Sequence, residues 1–420
     1  MAQLSDDCFA FSGALMPVEE AVRLMSGQVP PIAETETVPL GQAQGRVIAD
    51  DVVAAISVPS FDNSAVDGYA VRHADIAASG ETVLRIVDRV TAGARPQQPL
   101  GPGEAARIFT GAPMPRGADT VYMQEDCRTE GESLIVPAGL KRNANYRFTG
   151  EDIRAGDIAI EKGRRLLPAD IALAAALGLD RLKVRRRVRV ALFSTGDEVV
   201  EPGTNRPPAA IHDSNRYLLL GLLQRLGVEA HDLGILPDDP ESLTAAIGAA
   251  ASGHDLVLTS GGVSTGEADH VKAAVERLGK LVFWRLAIKP GRPVAMGVIG
   301  GTAFVGLPGN PVAVFVTFIT VVRPLIFRLA GATIEPLTLF PARATFHYKK
   351  KQGRREYVRA TIRPFVSGSG VAEVDKHPAE GAGLLTSITR TSGFVLLPPD
   401  IVRVEPGAWV DFLPYASVID

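Results

Sequence analysis

Four short loops in the middle of the chain join small, flexible residues to carboxylates and amides. They are Ser194-Thr195-Gly196-Asp197-Glu198, Asp213-Ser214-Asn215, Gly261-Gly262-Val263-Ser264-Thr265-Gly266-Glu267-Ala268-Asp269 and Leu307-Pro308-Gly309-Asn310-Pro311. Glycine lets backbone N–H groups approach a ligand closely, and a helix N-terminus behind a glycine turn attracts anions. Ser264 and Glu267 have capping-box spacing, Asn310 fits an N-cap, and Pro311 fits the first helical position. One such loop is most often only a turn. Several of them on neighbouring strands point to a phosphate-type ligand. Glu198, Asp238 and Asp269 lie in or beside these loops, where carboxylates would repel phosphate. A hard divalent cation such as Mg²⁺ resolves that conflict, because it is held by carboxylates together with phosphate oxygens. The competing reading makes each acid a helix cap, and it fits Asp238 in Pro-Asp-Asp-Pro best.

A second group is cationic. In Arg285-Leu286-Ala287-Ile288-Lys289-Pro290-Gly291-Arg292, strand alternation places Arg285, Ala287 and Lys289 on one face. Arg292 follows a Pro-Gly turn, and the set suits an oxyanion or, equally, a solvated strand edge. Two other segments crowd polar turn-formers around aromatics, at 59–70 and 108–115. Each is either an Asx-turn network or part of a site.

Other chemistries lose support. There is no Walker A loop, no G-x-G-x-x-G and no Ser-His-Asp order, so P-loop, dinucleotide and nucleophile catalysis are not indicated. With 44 basic and 47 acidic residues, the net charge of −3 offers no field for nucleic acid. Cys8 and Cys127 have no CxxC partner and the seven histidines form no ligand pair, which argues against zinc, iron–sulfur and disulfide frameworks. The N-terminus lacks the basic start and apolar core of a signal peptide. The longest apolar run, Val312 to Val322, is only about half of a membrane span. A cytoplasmic protein with no membrane contact is expected.

The elements that must carry these residues fall into four stretches. Residues 1–50 with 149–186 read as an extended linker domain with helices at 17–25 and from Pro168 to Gly178. Residues 51–148 read as a β-rich domain, with strands Thr82–Val90 and Ala105–Thr110. From 187 to 333 strands and helices alternate. Strands are expected at Val188–Ser194, Val228–Leu233, Asp255–Ser260, Leu281–Ile288, Val294–Val298 and Ala303–Leu307. Helices are expected at Asn215–Leu226, about 240–251, 268–278 and from Pro311. That pattern implies a doubly wound, mostly parallel α/β sheet with ligands at the carboxyl ends of its strands. Residues 334–420 read as a small β domain with strands at Ala342–Thr345, Glu356–Ile362 and Gly393–Leu397.

Ten ordered motifs then resemble one family across essentially the whole chain. They are LGQAQGRVIADDV (40–52), FDNSAVDGYAVR, IFTGAPMP, GEDI, STGDE, HDSN, LPDDP, TSGGVSTGEADH, RLAIKPGRP and GLPGNP. The chain is similar to MoeA, the molybdopterin molybdenumtransferase family that includes the gephyrin E domain. The resemblance implies an elongated homodimer with a central MogA-like α/β domain and flanking β domains. Its cleft is formed by the β domain of one subunit and the α/β and C-terminal domains of the other. It implies Mg²⁺-dependent hydrolysis of adenylylated molybdopterin, with molybdate inserted to give molybdenum cofactor and AMP.

Carried over by motif, Asp62, Thr110, Asp152, Glu198, Asp238, Asp269 and Lys289 become the catalytic set, with Glu198, Asp238 and Asp269 on Mg²⁺. Asp213, Ser214, Asn215, Gly261, Gly262, Ser264, Pro308, Gly309 and Asn310 become contacts for the pterin and its phosphate. Arg285, Lys289, Pro290, Arg354 and Ser387 become the molybdate site, the last two through the short stretches GRREYVRA and GLLTSITRTSG. Many relatives have lysine where Arg285 stands, and a planar fork is not equivalent to a point charge. Transient contacts with other cofactor-biosynthesis proteins and acceptor molybdoenzymes are implied as well. Two alternatives stand beside this: a MogA-type adenylylating enzyme, and a receptor-anchoring scaffold. The β domains with their GEDI and FDNSAVDGYA motifs disfavour the first, and the lack of a long linker or fused module disfavours the second.

Overall fold

The computed structural model describes residues 15–262, 270–334, 336–363 and 370–419. At its centre is a six-stranded sheet in the order Glu229–Leu236, Arg189–Thr195, Leu256–Ser260, Thr302–Leu307, Pro293–Ile299 and Lys280–Arg285. The first four strands run parallel, Pro293–Ile299 runs antiparallel to them, and Lys280–Arg285 pairs antiparallel with Pro293–Ile299 and so runs with the first four. Near-continuous apolar runs mark strands covered on both faces. On one face Val190, Leu192, Leu256 and Leu258 pack against Leu219, Leu222 and Leu223 of the helix Asn215–Arg225. On the other, Ala191, Phe193 and Val257 meet Leu243 and Ile247 from Pro240–Gly253 and Val271 and Val275 from His270–Leu278.

The apolar run after Pro311 continues further than its sequence signal. Pro311–Leu329 is one 19-residue helix, long and apolar enough to cross a membrane, yet 83% of its apolar window is buried inside the protein. It is a core helix, with a π-helical turn at Phe318–Val322. The helix Val18–Ser26 corrects one expected grouping. Val18, Ala21 and Met25 bury themselves in this α/β core rather than among the linker segments. Those segments are tied together by backbone pairing, Thr35–Pro39 with Arg181–Arg185 and Val52–Val53 with Ile158–Ile160.

The β-rich stretch forms a sheet in the order Thr120–Met123, Gly68–Val71, Glu104–Ile108, Glu81–Val90, Ser133–Pro137 and Arg128–Glu130. Its third strand stops at Ile108, short of the expected Thr110. The C-terminal sheet runs Ile288–Lys289, Arg355–Ile362, Glu373–Lys376, Phe340–Ala344, Trp409–Pro414 and Gly393–Leu397.

The expected strand Leu281–Ile288 is in fact two. Lys280–Arg285 stays in the α/β sheet, whereas Ile288–Lys289 pairs parallel with Arg355 and Glu356 of the C-terminal sheet. The switch has backbone causes. Leu286 N–H donates to Arg292 at 2.8 Å and Ala287 N–H donates to Met16 at 2.7 Å, so the ladder is diverted. Gly291 closes the turn at φ +106, where a Cβ would lie 2.6 Å from Thr317 Oγ1. Alternation still survives across the break, with Leu286 and Ile288 buried while Arg285 is exposed and Ala287 and Lys289 are half-buried.

One motif glycine has a packing origin. A Cβ on Gly68 would fall 1.8 Å from the Tyr122 carbonyl oxygen on the neighbouring strand. Gly68→Ala must push the two strands apart, and the expected loss is about 3 kcal/mol of stability. Urea unfolding measures it; an unchanged midpoint would show that the strands can shift freely.

Candidate active site

Three of the four loops leave the same edge of the central sheet, because the strands before them run parallel and in register. Ser194 pairs with Ser260, and Ser260 with Leu307. The loops then lock onto each other. Gly261 N–H donates to Leu307 at 3.2 Å. A Cβ on Gly261 (φ +90) would lie 2.9 Å from the Thr195 carbonyl oxygen, and one on Gly262 (φ +66) would lie 2.6 Å from Val271. These two glycines therefore serve loop-to-loop and loop-to-helix packing, a use their sequence context does not distinguish from ligand approach. The fourth loop joins through Asn215, whose Nδ2 donates to the Gly309 carbonyl at 2.7 Å. Pro308 is buried, while Gly309 and Asn310 are exposed. Asn310 takes the N-cap position and Pro311 opens the helix, but the Asn310 side chain makes no cap bond. Ser264, Glu267 and Asp269 lie outside the described residues.

Asp213 has a different partner from the one expected. It is 5% exposed, and its two oxygens accept from Arg216 N–H at 3.1 Å and Arg216 Nε at 3.0 Å. Arg216, itself buried, also pairs with Asp232 and Glu201. Asp213 is thus engaged inside the fold, while Ser214 and Asn215 beside it are half-buried.

The acids separate cleanly. Asp239, not Asp238, caps Pro240–Gly253 by accepting from Ser242 N–H at 2.8 Å. Asp238 is half-buried, with Oδ1 3.5 Å from Thr195 Oγ1. Glu198 is exposed and curls over Gly196 (φ +134), where a Cβ would meet Glu198 Oε2 at 2.8 Å. Neither Glu198 nor Asp238 forms an ion pair among the described residues. Their hard oxygen donors fit Mg²⁺, although the described residues alone contain no group of three possible metal ligands.

Of the cationic set, Lys289 reaches the C-terminal sheet, where it meets Arg354. Lys289 Nζ lies 3.3 Å from Glu356 Oε2, and the Tyr348 hydroxyl donates to the same oxygen at 2.7 Å. Arg354 Nε donates to Glu356 Oε1 at 2.8 Å. Glu356 is 1% exposed. Burial alone would raise its pKa, but the Tyr348 and Arg354 hydrogen bonds and the Lys289 and Arg354 charges hold it below the ordinary carboxylate value. Lys289, Pro290 and Arg354 are therefore together. Arg285 is not part of this cluster; it is exposed at the end of the α/β edge strand. Ser387 is fully buried, and its Oγ donates to the Leu384 carbonyl at 2.5 Å, so its hydroxyl closes a local turn instead of facing a ligand. Glu356 went unnoticed in the sequence, where the only signal was a lone acid among Arg354, Arg355 and Arg359.

The β-domain residues form their own network. Asp62 Oδ1 accepts from Thr149 N–H and Oγ1, both at 2.8 Å, and Oδ2 accepts from the Tyr146 hydroxyl at 2.5 Å. Thr110 donates through N–H at 2.8 Å and through Oγ1 at 2.7 Å to Asp67. Asp67, Tyr146 and Thr149 were not among the expected site residues. Asp152 is exposed. Within one chain no hydrogen bond among the described residues joins Asp62, Thr110 or Asp152 to the α/β edge.

A parallel sheet with acid-bearing glycine loops at its carboxyl edge, coupled to a cation-bearing β sheet, defines an α/β enzyme for anionic, phosphate-bearing substrates. Three family models cover the chain: the MoeA N-terminal region (domain I and II) over residues 16–178, a probable molybdopterin binding domain over 191–328, and the MoeA C-terminal region (domain IV) over 341–415. A molybdopterin molybdenumtransferase of Haemophilus influenzae is 39% identical across 96% of this chain and 100% of its own. One from a Nostoc species is 36% identical across 87% of this chain and 85% of its own. The solved structure of a molybdopterin biosynthesis MoeA protein from Pyrococcus horikoshii aligns with a TM-score of 0.80 at 29% identity, covering 96% of this chain and 100% of that one. The chain belongs to the MoeA family of molybdopterin molybdenumtransferases.

Two outcomes follow from the geometry. Asp213→Ala leaves buried Arg216 short of a partner and is expected to cost about 3 kcal/mol, read by denaturant unfolding; a loss of ligand affinity at unchanged stability would instead place Asp213 at the ligand. For Asp62, burial works against ionisation, but the Tyr146 and Thr149 bonds win and lower its pKa. Its contribution is present above the unfolded carboxylate pKa, about 3.9, and is lost as pH falls through the lower folded value. Asp62→Asn should flatten the acid limb of the stability profile below about pH 4; an identical limb would contradict this.

Proposed function

We propose that this protein inserts molybdenum into molybdopterin, using adenylylated molybdopterin and molybdate and releasing AMP. The observation that carries this reading is the match to a molybdopterin molybdenumtransferase along 96% of this chain and all of that relative. The geometry agrees with it. The Asn215, Gly261-Gly262 and Gly309-Asn310 loops present amides and a helix N-terminus suited to the pterin and its phosphate. Glu198 and Asp238, with Asp269 beyond the described residues, would hold Mg²⁺. Bound there, the ion neutralises phosphate charge and polarises the phosphorus–oxygen bond. Lys289 and Arg354 supply positive charge for the molybdate dianion. Asp62, Thr110 and Asp152 serve the same reaction from the β domain of a second subunit, since among the described residues of one chain no hydrogen bond links them to the loop edge. The working form is then a cytoplasmic homodimer that passes its product to acceptor molybdoenzymes.

The test is incubation of the purified dimer with adenylylated molybdopterin, molybdate and Mg²⁺, scored by AMP and by active cofactor. Asp238→Ala should lower turnover about 100-fold with an unchanged melting temperature. Full turnover in that variant would remove Asp238 from the reaction.

A further inference from the structure

No two histidines are close in the sequence, yet the fold brings two of them together on the α/β domain. His231 stands on the edge strand Glu229–Leu236, and His254 ends the helix Pro240–Gly253. His231 Nδ1 lies 2.6 Å from His254 Nε2, with ring centroids 4.7 Å apart and planes at 83°. His231 is exposed and His254 half-buried, so the pair is open to solvent. It is remote from the carboxyl-edge loops. His231 is level with Ala191, and the four residues from there to Thr195 span about 13 Å of strand.

The outer nitrogen of each ring is already committed. His254 Nδ1 is 2.7 Å from the Ala250 carbonyl, which can only accept, so Nδ1 carries a proton. His231 Nε2 is 3.2 Å from Glu229 Oε1, and an ionised carboxylate also only accepts. A neutral imidazole has a single N–H. The two inner nitrogens are then both lone pairs, aimed at each other across 2.6 Å. Lone pairs that close repel unless a cation joins them, and that cation is either a shared proton or a metal ion.

Three features favour a metal. A carboxylate behind one ring and a backbone carbonyl behind the other are the partners that orient ligating histidines. The pair sits at the carboxyl end of a 14-residue helix, where the dipole attracts positive charge. Two nitrogens about 2.0–2.1 Å from one ion at a right angle are about 2.9 Å apart, so a tetragonal ion requires only a small opening and swing of two surface rings. The neighbouring charges are already matched: Glu229 lies 3.6 Å from Arg189, and Asp255 pairs with Arg186.

We propose that His231 and His254 bind a late first-row divalent transition metal, Cu²⁺ ahead of Ni²⁺ and Zn²⁺, with Glu229 and the Ala250 carbonyl orienting the two rings. Imidazole suits those ions, whereas Mg²⁺ takes oxygen donors, so the site is chemically distinct from the one assigned to Glu198 and Asp238. Water fills the remaining positions, because the described residues contain no group of three possible ligands. The bound ion ties the edge strand to the end of the helix.

The test is calorimetric titration of the untagged, chelator-treated full-length protein with Cu²⁺, Ni²⁺, Zn²⁺ and Mg²⁺. Wild type should take up one equivalent of Cu²⁺ that both His231→Gln and His254→Gln lose, with affinity weakened about 100-fold or more. Glu229→Ala should weaken it about tenfold, and Mg²⁺ should not compete. Lowering the pH to about 5 should release the ion, since a protonated imidazole has no lone pair to give. Electron paramagnetic resonance of the Cu²⁺ form should show splitting from two imidazole nitrogens in wild type and from fewer in each variant. Wild type that binds none of the three transition metals, or binding that is the same in both folded variants, overturns the proposal and leaves a shared proton between the rings. Should a variant fail to fold, wild-type crystals soaked in Cu²⁺ decide the matter. An anomalous copper peak between the two rings is expected, and a peak only elsewhere overturns the assignment.

Discussion

Glu356 stays ionised in a buried position because groups from three separate segments reach it: Lys289 from the turn after the α/β edge strand, Arg354 from beside it and Tyr348 from a neighbouring strand. Removing one partner from such a cluster leaves an uncompensated charge in low dielectric, which is costlier than never having built it. The cluster therefore fixes where Lys289 can be. Lys289 can be there only because the backbone leaves the central sheet after Arg285 and pairs again, from Ile288, with Arg355 and Glu356. A two-residue strand thus joins the α/β domain to the C-terminal domain and carries the cation of the KPG turn with it.

The other half of the site depends on parallel register. With Ser194, Ser260 and Leu307 level across three strands, the loops after them must share one edge. Backbone contacts between the loops, Gly261 to Leu307 and Asn215 to Gly309, hold that edge without side-chain bulk. The PGNP loop then touches the C-terminal domain as well, through Val312 N–H and the Ala382 carbonyl. The carboxyl-edge loops and the cation-bearing sheet are in this way attached to one continuous backbone framework, and Asp238 and Glu198 beside it form no ion pair among the described residues.

Most of the α/β architecture was legible in the residue pattern, because buried parallel strands and capped helices leave strong periodic signals. The loops at the carboxyl edge followed from that order. What escaped notice depended on long-range pairing. The break at Leu286 is invisible to local alternation, which continues undisturbed across it, since the cause is Met16 docking from far away in sequence. Glu356 and Asp67 were missed because each looks like an ordinary strand or turn residue until its partners are placed. Asp213 and Ser387 were legible as polar motif residues, but only the fold shows that Arg216 and the Leu384 carbonyl already occupy them. The family motifs identified the chemistry where spacing alone could indicate only a phosphate and a second anion.

In the proposed reaction one framework couples the adenylate end of the substrate to the oxyanion end. The most direct measurement is AMP release by the purified protein, at fixed adenylylated molybdopterin and Mg²⁺, as molybdate is titrated in. AMP release should rise with molybdate, saturate, and match the molybdenum inserted one for one. AMP released at full rate without molybdate, with no molybdenum retained on the pterin, would contradict it.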